Sequence, residues 1–160
     1  MTRRSALLGL VVLGLVLSLP ALGPAQVSVK VLAPRVTIAL VKVARGGVWI
    51  QRAGTLYPAR IGLPVWESDV LMTGTDGALG VTFVDESLIS LAPNSAFGIL
   101  AYVYDPVTHV GRFEAAFYRG TMTATTGRMV RRKADTMLIT TPQAVIHPRG
   151  TEFALRVGED

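Results

Sequence analysis

The sequence has no cysteine and only two histidines among its 160 residues. The absence of thiols excludes disulfides, thiolate metal sites, a cysteine nucleophile and a lipid attached to an N-terminal cysteine. Charged residues are sparse, at 17%, whereas 50% of the residues are hydrophobic. A chain of this composition can bury a core and is not disordered, and its length favours a single folded domain.

The excess of positive charge is too small to indicate nucleic-acid binding. The formal net charge is +5, and removing Arg3 and Arg4 lowers Lys and Arg from 16 to 14, which leaves +3 against 11 acids. A protein that binds nucleic acid usually clusters its basic residues on one face. We therefore expect no nucleic-acid partner.

The first 25 residues predict a cleavable signal peptide. Arg3 and Arg4 form a basic start, residues 6–19 are an apolar run, and Gly23-Pro24-Ala25 supplies small residues for cleavage after Ala25. The run is shorter than the ~20 residues that a membrane-spanning helix needs, so an uncleaved anchor is the weaker alternative. We expect a periplasmic or secreted protein that meets the membrane only through its signal peptide before cleavage.

Residues 26–160 are predicted to form one all-β domain. Between residues 27 and 157 the hydrophobic pattern is not helical, and short alternating runs are separated by turn residues. Some of the roughly ten predicted strands, such as Val145-Ile146, are apolar on both faces, which favours the interior of two packed sheets. The predicted fold is a two-layer β-sandwich or β-roll. A β-solenoid is the alternative, although no repeat of fixed period is visible.

Turn residues predict how some of these strands connect. Asp76-Gly77 lies between two β-prone runs and predicts a hairpin. Arg119-Gly120 predicts a turn between two strands, and residues 127–133 predict a basic loop. Pro58 and Pro64 predict edge strands or loops, because proline cannot donate a hydrogen bond to a neighbouring strand.

Four segments carry motifs that occur together in one protein family. They are a small-residue β-hairpin at residues 41–50, SDVLMTG at 68–74, FVDESLISLAPNS at 83–95 and TPQAVIHPRGTEF at 141–153. With these motifs, in this order, the chain resembles the FecR-domain family. Ser68 and Glu86 stand where the family pattern has glycine, and His147-Pro148 replaces a Gly-aliphatic pair.

The resemblance implies an all-β periplasmic module. In the full regulators of this family, the module follows a σ-factor-binding region and a transmembrane helix, and it receives a signal from an outer-membrane receptor. Because only five residues precede the apolar run here, we expect a stand-alone exported member without the σ-binding region. The expected function is non-enzymatic protein interaction or signalling with another envelope protein. A small-ligand or glycan-binding protein is the alternative.

Arg149, Thr151 and Glu152 are candidate binding residues. They place charged and hydroxyl groups on a segment that is otherwise built to be buried. A structural role is the alternative, in which the Arg149 guanidinium pairs with a carboxylate such as Asp69 or Asp85 and satisfies nearby backbone carbonyls.

Asp69, Asp85 and Ser87 are candidates for a polar binding site because they lie at predicted strand ends. Such residues more often bond to nearby backbone amides and shape a turn. No Asp-x-Asp-x-Asp spacing accompanies them, so we expect no metal and no cofactor. A hydrolytic site built from Ser87, Asp85 and His147 lacks the Gly-x-Ser-x-Gly motif, and we expect no enzyme activity.

Arg131 and Arg132 are the last candidate binding residues. With Arg128 and Lys133 they form a local basic cluster that could bind an anionic glycan or lipid headgroups. The alternative is a solvated loop without a ligand.

Overall fold

The computed structural model describes residues 35–158, and these residues form an almost purely β structure. The prediction of signal-peptide cleavage after Ala25 concerns residues outside this range. The described part contains twelve strands and one short helix, which in chain order are β1 (Ala39–Arg45), β2 (Val48–Arg52), β3 (Thr55–Pro58), β4 (Pro64–Val65), β5 (Val70–Thr73), β6 (Ala78–Phe83), β7 (Leu88–Leu91), β8 (Ala96–Tyr104), β9 (Gly111–Thr125), α1 (Arg128–Arg132), β10 (Met137–Thr140), β11 (Val145–Ile146) and β12 (Glu152–Val157).

The strands form two sheets that share β9, which confirms the predicted all-β fold class. Sheet 1 has the order β12-β9-β7-β6-β1-β4, and sheet 2 has the order β3-β2-β5-β8-β9-β10-β11. Nine antiparallel strands, from β3 through β9 to β4, follow one another along an open, curled path. β10 is the exception, because it runs parallel to β9.

A bend in β9 takes the chain from one sheet to the other. The residues up to Arg119 pair with β8, and those from Gly120 onwards pair with β12. Gly120 has φ +98°, and a Cβ atom at this position would overlap Ser95. The Ser95 hydroxyl accepts a hydrogen bond from the Thr121 N–H at 3.0 Å and donates to the Thr121 carbonyl at 3.1 Å. The predicted turn at Arg119-Gly120 is therefore wrong, because this pair bends a single strand.

The core lies between the sheets and is centred on aromatic rings. Phe83, Phe97 and Phe113 are buried. The centroid of the Phe113 ring lies 4.6 Å from that of Phe83 and 6.4 Å from that of Phe97. Tyr102 joins the cluster at 5.2 Å from Phe113. Burying large rings of this kind supplies much of the stability of a small domain, and here the rings connect β6 in sheet 1 to β8 in sheet 2.

Two predicted hairpins connect different sheets instead of neighbouring strands. β5 pairs with β2 and β8, whereas β6 pairs with β1 and β7, so the Asp76-Gly77 hairpin is wrong. The hairpin at 41–50 is wrong for the same reason, since β1 and β2 lie in different sheets. The two connections are instead hydrogen-bonded to each other, since the Asp76 carboxylate accepts the Gly47 N–H at 3.0 Å.

Among the local predictions, the edge positions of the two prolines are confirmed. Pro58 ends edge strand β3 and Pro64 begins edge strand β4. Residues 127–133, however, contain the helical turn α1 instead of a loop. Val145 is 57% exposed and belongs to a two-residue strand at the end of sheet 2, so its predicted place in the sheet interior is wrong. No helix in residues 35–158 is long and apolar enough to cross a membrane.

Candidate functional site

Asp69 is held in a buried ion pair just before β5. Its side chain is 1% exposed and accepts two hydrogen bonds from the Arg52 guanidinium, at 2.8 and 2.7 Å. It also accepts the backbone N–H of Trp66 at 2.8 Å, which fixes the turn before β5. The prediction that Asp69 bonds to a nearby backbone amide is confirmed. Its partner is Arg52 and not Arg149, because β2 lies beside β5 in sheet 2.

Asp85 and Ser87 form a buried hydrogen-bond network at the β6–β7 turn. The Ser87 hydroxyl donates to one Asp85 oxygen at 2.8 Å, and the Ser87 N–H and the Tyr102 hydroxyl donate to the other at 3.1 Å each. The Gly127 N–H donates to the Ser87 hydroxyl at 2.9 Å. The network therefore joins the β6–β7 turn to β8 and to the start of α1, and the predicted turn-shaping role is confirmed.

The surroundings of the Tyr102 hydroxyl raise its pKa. Burial, followed by the nearby Asp85 carboxylate, raises the pKa of the Tyr102 hydroxyl far above its ordinary value. Tyr102 therefore stays protonated, and it donates to the carboxylate while accepting the Asp85 N–H at 3.2 Å. This arrangement stabilises the turn.

The imagined triad of Ser87, Asp85 and His147 is not assembled. The Ser87 hydroxyl donates to Asp85 and accepts the Gly127 N–H, so these hydrogen bonds join it to the two neighbouring turns and not to a histidine. His147 lies in the exposed C-terminal segment. Within residues 35–158, no group of three or more histidine, aspartate or glutamate side chains could hold a metal ion.

The candidate residues of the C-terminal segment lie on the surface. Arg149 is 76% exposed and its Nε lies 3.4 Å from an Asp135 carboxylate oxygen. The expected pairing of Arg149 with Asp69 or Asp85 is therefore wrong, because both carboxylates are already occupied inside the fold. Thr151 and Glu152 are also exposed, and the Thr151 carbonyl accepts the Thr126 N–H at 2.7 Å. Arg149 and Thr151 precede β12, and Glu152 is its first residue.

The basic cluster at α1 is partly neutralised. Arg128 and Arg131 both contact the carboxylate of Glu86, with the Arg131 contact at 3.4 Å. The hydrogen bond from Arg128 lowers the pKa of Glu86 below its ordinary value. Arg131 also donates to the Thr126 carbonyl at 3.1 Å, whereas Arg132 is exposed. Through these contacts with Glu86, the cluster connects α1 to the β6–β7 turn.

Two residues that depart from the motifs described above have an unusual backbone conformation. Ser68 and Glu86 both have φ +70°, a left-handed conformation that glycine adopts at little cost and other residues adopt rarely. The glycines that the resemblance implies at these two positions would suit this backbone geometry, which this chain adopts with side chains present.

The described residues form a groove of about 940 Å³ beside the ends of β2 and β8. We call it the groove, and it is lined by residues 35–38, 51–54, 66–68, 70, 84 and 102–104. Three of its valines are strongly exposed: Val36 at 74%, Val84 at 52% and Val103 at 65%. Exposed apolar side chains gathered in one concavity are typical of a binding surface.

One wall of the groove is an open strand edge. β5 pairs with β8 only over Ala96–Gly98, so in the described part of the chain no strand covers Ala101–Tyr104 on that side. One outward backbone N–H of this stretch, that of Tyr102, donates to a Glu67 carboxylate oxygen at 2.9 Å. The other outward backbone groups of Ala101–Tyr104 have no strand partner in the described residues. An added strand could pair with them beside Val103.

No sequence motif marks Arg52 or the exposed valines of the groove as site residues. Arg52 and Tyr102 are single polar groups within alternating strands, and their partners are 17 residues away in each case. Val103 and Val84 look like ordinary strand and turn residues. Their exposure follows from where β5 stops pairing with β8, and no local motif encodes that point.

Comparison with known proteins identifies the family of this chain. Neither the curated proteins nor the solved structures contain a match to this chain. Residues 69–160, more than half of the chain, match the family described as FecR protein. The matched region begins at the buried Asp69 and includes both halves of the bent strand β9. The chain belongs to the FecR protein family.

Proposed function

We propose that this protein is an exported, non-enzymatic interaction module of the cell envelope, periplasmic or secreted. We further propose that it binds an extended segment of another envelope protein. Membership of the FecR family supports a signalling-related role. The residues expected to direct export and cleavage after Ala25 precede the described domain.

The observation that carries the proposal is the open edge of β8 inside an apolar groove. An extended peptide that adds to a sheet edge gains main-chain hydrogen bonds, and pockets beside the edge select alternate side chains. Ala101–Tyr104 supplies the edge, and Val103, Val84 and Val36 supply the apolar surface. The Glu67 carboxylate, which now caps one N–H of the edge, would be displaced or would contact the incoming strand.

The side chains of the buried polar residues do not offer an alternative site. Asp69 is bonded to Arg52 and Trp66, and Asp85 is bonded to Ser87 and Tyr102. These donors and acceptors already have partners within the chain, which supports a structural role for them. Binding through backbone and apolar surface requires none of them to change partner.

A small-ligand or glycan-binding function is the second candidate, and the size of the groove favours it. A volume of about 940 Å³ is within the range of about 300–1,000 Å³ that small-molecule sites occupy. The ring of Trp66, the natural stacking surface for a sugar, is however already contacted by guanidinium groups: Arg52 lies 3.4 Å and Arg35 4.8 Å from its centroid. We therefore favour the protein partner.

The test uses photocrosslinking in intact envelopes. A crosslinking amino acid is placed at Val103, in the groove, and at Val145, which is similarly exposed but outside it. We expect a defined adduct from position 103 alone, mapping to an extended segment of one envelope protein, and we expect Val103→Asp but not Val145→Asp to abolish co-purification of that protein. Equal adducts from both positions, or none from position 103, would refute the proposal. A thermal shift with one sugar or peptidoglycan fragment, abolished by Val103→Asp, would favour the second candidate.

A further inference from the structure

The edge strand β12 differs from the other edges of the described sheets. β3 contains Pro58, β4 begins with Pro64, and β11 has only two residues and lies between prolines. Proline and short length both protect an edge from pairing with another chain. β12 has six residues, no proline and no bulge in its pairing with β9, and β9 is its only strand partner in residues 35–158.

The exposed face of β12 is self-complementary in charge. Glu152, Ala154 and Arg156 alternate along this face, and all three are exposed. When two such strands pair antiparallel about a two-fold axis at Ala154, each Glu152 lies directly opposite the Arg156 of the other copy. Opposite charges in directly facing cross-strand positions stabilise a pair, and like charges destabilise it.

The other face of β12 matches in the same register. Phe153 and Leu155 are half-buried against the core, and the register centred on Ala154 places each Phe153 opposite the Leu155 of the other copy. Moving the centre by one residue places Glu152 or Arg156 opposite an uncharged position, and moving it by two residues places two like charges opposite each other. Charge and apolar pattern thus select one register.

We propose that two copies of this chain associate through antiparallel pairing of β12, centred on Ala154, which joins the two copies of sheet 1 into one continuous sheet. A two-fold interface of this kind uses the same patch on both subunits. Every second residue of β12 points its N–H and C=O away from β9, so the backbone supplies the hydrogen bonds and the charges supply the register. No residue that lines the groove belongs to β12, so the dimer is independent of the proposed envelope partner.

The experiment is a charge exchange followed by sedimentation velocity over a concentration series. Glu152→Arg and Arg156→Glu should each weaken self-association by about tenfold or more, because each places like charges opposite each other. The double variant, which exchanges the charges, should restore the wild-type dimer. An equimolar mixture of the two single variants should form a heterodimer, since every facing pair is then opposite in charge. Lys42→Glu, on the exposed side of β1, changes the net charge as Arg156→Glu does and should leave the dimer intact.

The mixture of the two single variants also shows whether a variant has merely unfolded, because an unfolded chain could not form the heterodimer. A wild-type protein that stays monomeric at every concentration would overturn the proposal, as would a dimer that ignores these substitutions. Val103→Asp should leave self-association unchanged, so a failure of the groove proposal and a failure of this one can be told apart.

Discussion

Removing the Tyr102 hydroxyl should destabilise the fold strongly, although the change is a single oxygen atom. In Tyr102→Phe the Asp85 carboxylate loses a donor at 3.1 Å and the Asp85 N–H loses its acceptor at 3.2 Å. Asp85 is fully buried, so water cannot replace either partner. The ring itself can stay in place against Phe83 and Phe113, where its contacts do not depend on the hydroxyl.

The expected loss of stability is about 2–4 kcal/mol. A hydrogen bond to a charged group contributes about 1.5–3 kcal/mol, and a buried N–H left without an acceptor costs about 1 kcal/mol or more. The two donors from Ser87 remain on the carboxylate, which limits the loss. A domain of this size is stable by only about 5–15 kcal/mol, so the effect is easily measured by urea denaturation.

The same substitution should change how stability depends on alkaline pH. The folded protein keeps the Tyr102 proton because the pKa is raised, whereas the unfolded chain releases it above a pKa of about 10. The stabilisation from Tyr102 is therefore complete below about pH 10 and is lost as the pH rises further. At about pH 11 the advantage of the wild type over Tyr102→Phe should shrink by about 1.4 kcal/mol.

Tyr104→Phe is the matched control. The Tyr104 hydroxyl bonds to the Nδ1 atom of His109 at 2.7 Å, next to an exposed loop, where water can replace the lost partner. We expect a loss below about 1 kcal/mol. Equal losses for the two tyrosines, or a difference between wild type and Tyr102→Phe that is the same at about pH 8 and about pH 11, would refute the assignment of Tyr102 as the donor to Asp85.

Two further predictions concern backbone conformation, and both are checked by urea denaturation. Gly120→Ala should cost about 3 kcal/mol, because an L-residue is disfavoured at φ +98° and the added Cβ overlaps Ser95. Gly54→Ala, at φ +82° with open space around it, should cost only about 1 kcal/mol, and equal costs would contradict the crowded bend. Ser68→Gly should stabilise the protein by about 0.5–1 kcal/mol, since it relieves φ +70°. A destabilising Ser68→Gly would show that its side chain compensates for the strain.

Much of the fold could be predicted from the sequence because local rules act within single strands. Alternation of polar and apolar residues gave the all-β class and most strands, and proline at positions 58 and 64 gave two edges. Ala53-Gly54 forms a turn between the paired strands β2 and β3, with φ +47° and +82°. In these places the residues that determine the structure are neighbours in the chain.

The connections that cross between sheets could not be predicted from turn residues. Asp76-Gly77 resembles a hairpin turn, but its partner is Gly47, 29 residues away. Position 77 requires glycine because a Cβ atom there would overlap the Gly47 carbonyl oxygen. A positive φ is not the reason, since Gly77 does not have one. Glycine is favoured for both reasons, so the sequence cannot tell a tight hairpin from a close approach of distant backbone.

The environment of the candidate site residues bears on how the protein could bind partners. Sequence reasoning assigned binding to charged and hydroxyl side chains, yet the buried ones, Asp69, Asp85 and Ser87, already have partners inside the fold. A buried polar group that gives up such a partner for a ligand gains little, because one hydrogen bond replaces another. Backbone groups at a strand edge are bonded to water and lose much less when a new strand arrives. The β8 edge in the groove and the outer edge of β12 are therefore the places where this domain gains most from a partner. Both edges are set by where strand pairing ends, which explains why no side-chain motif marked them.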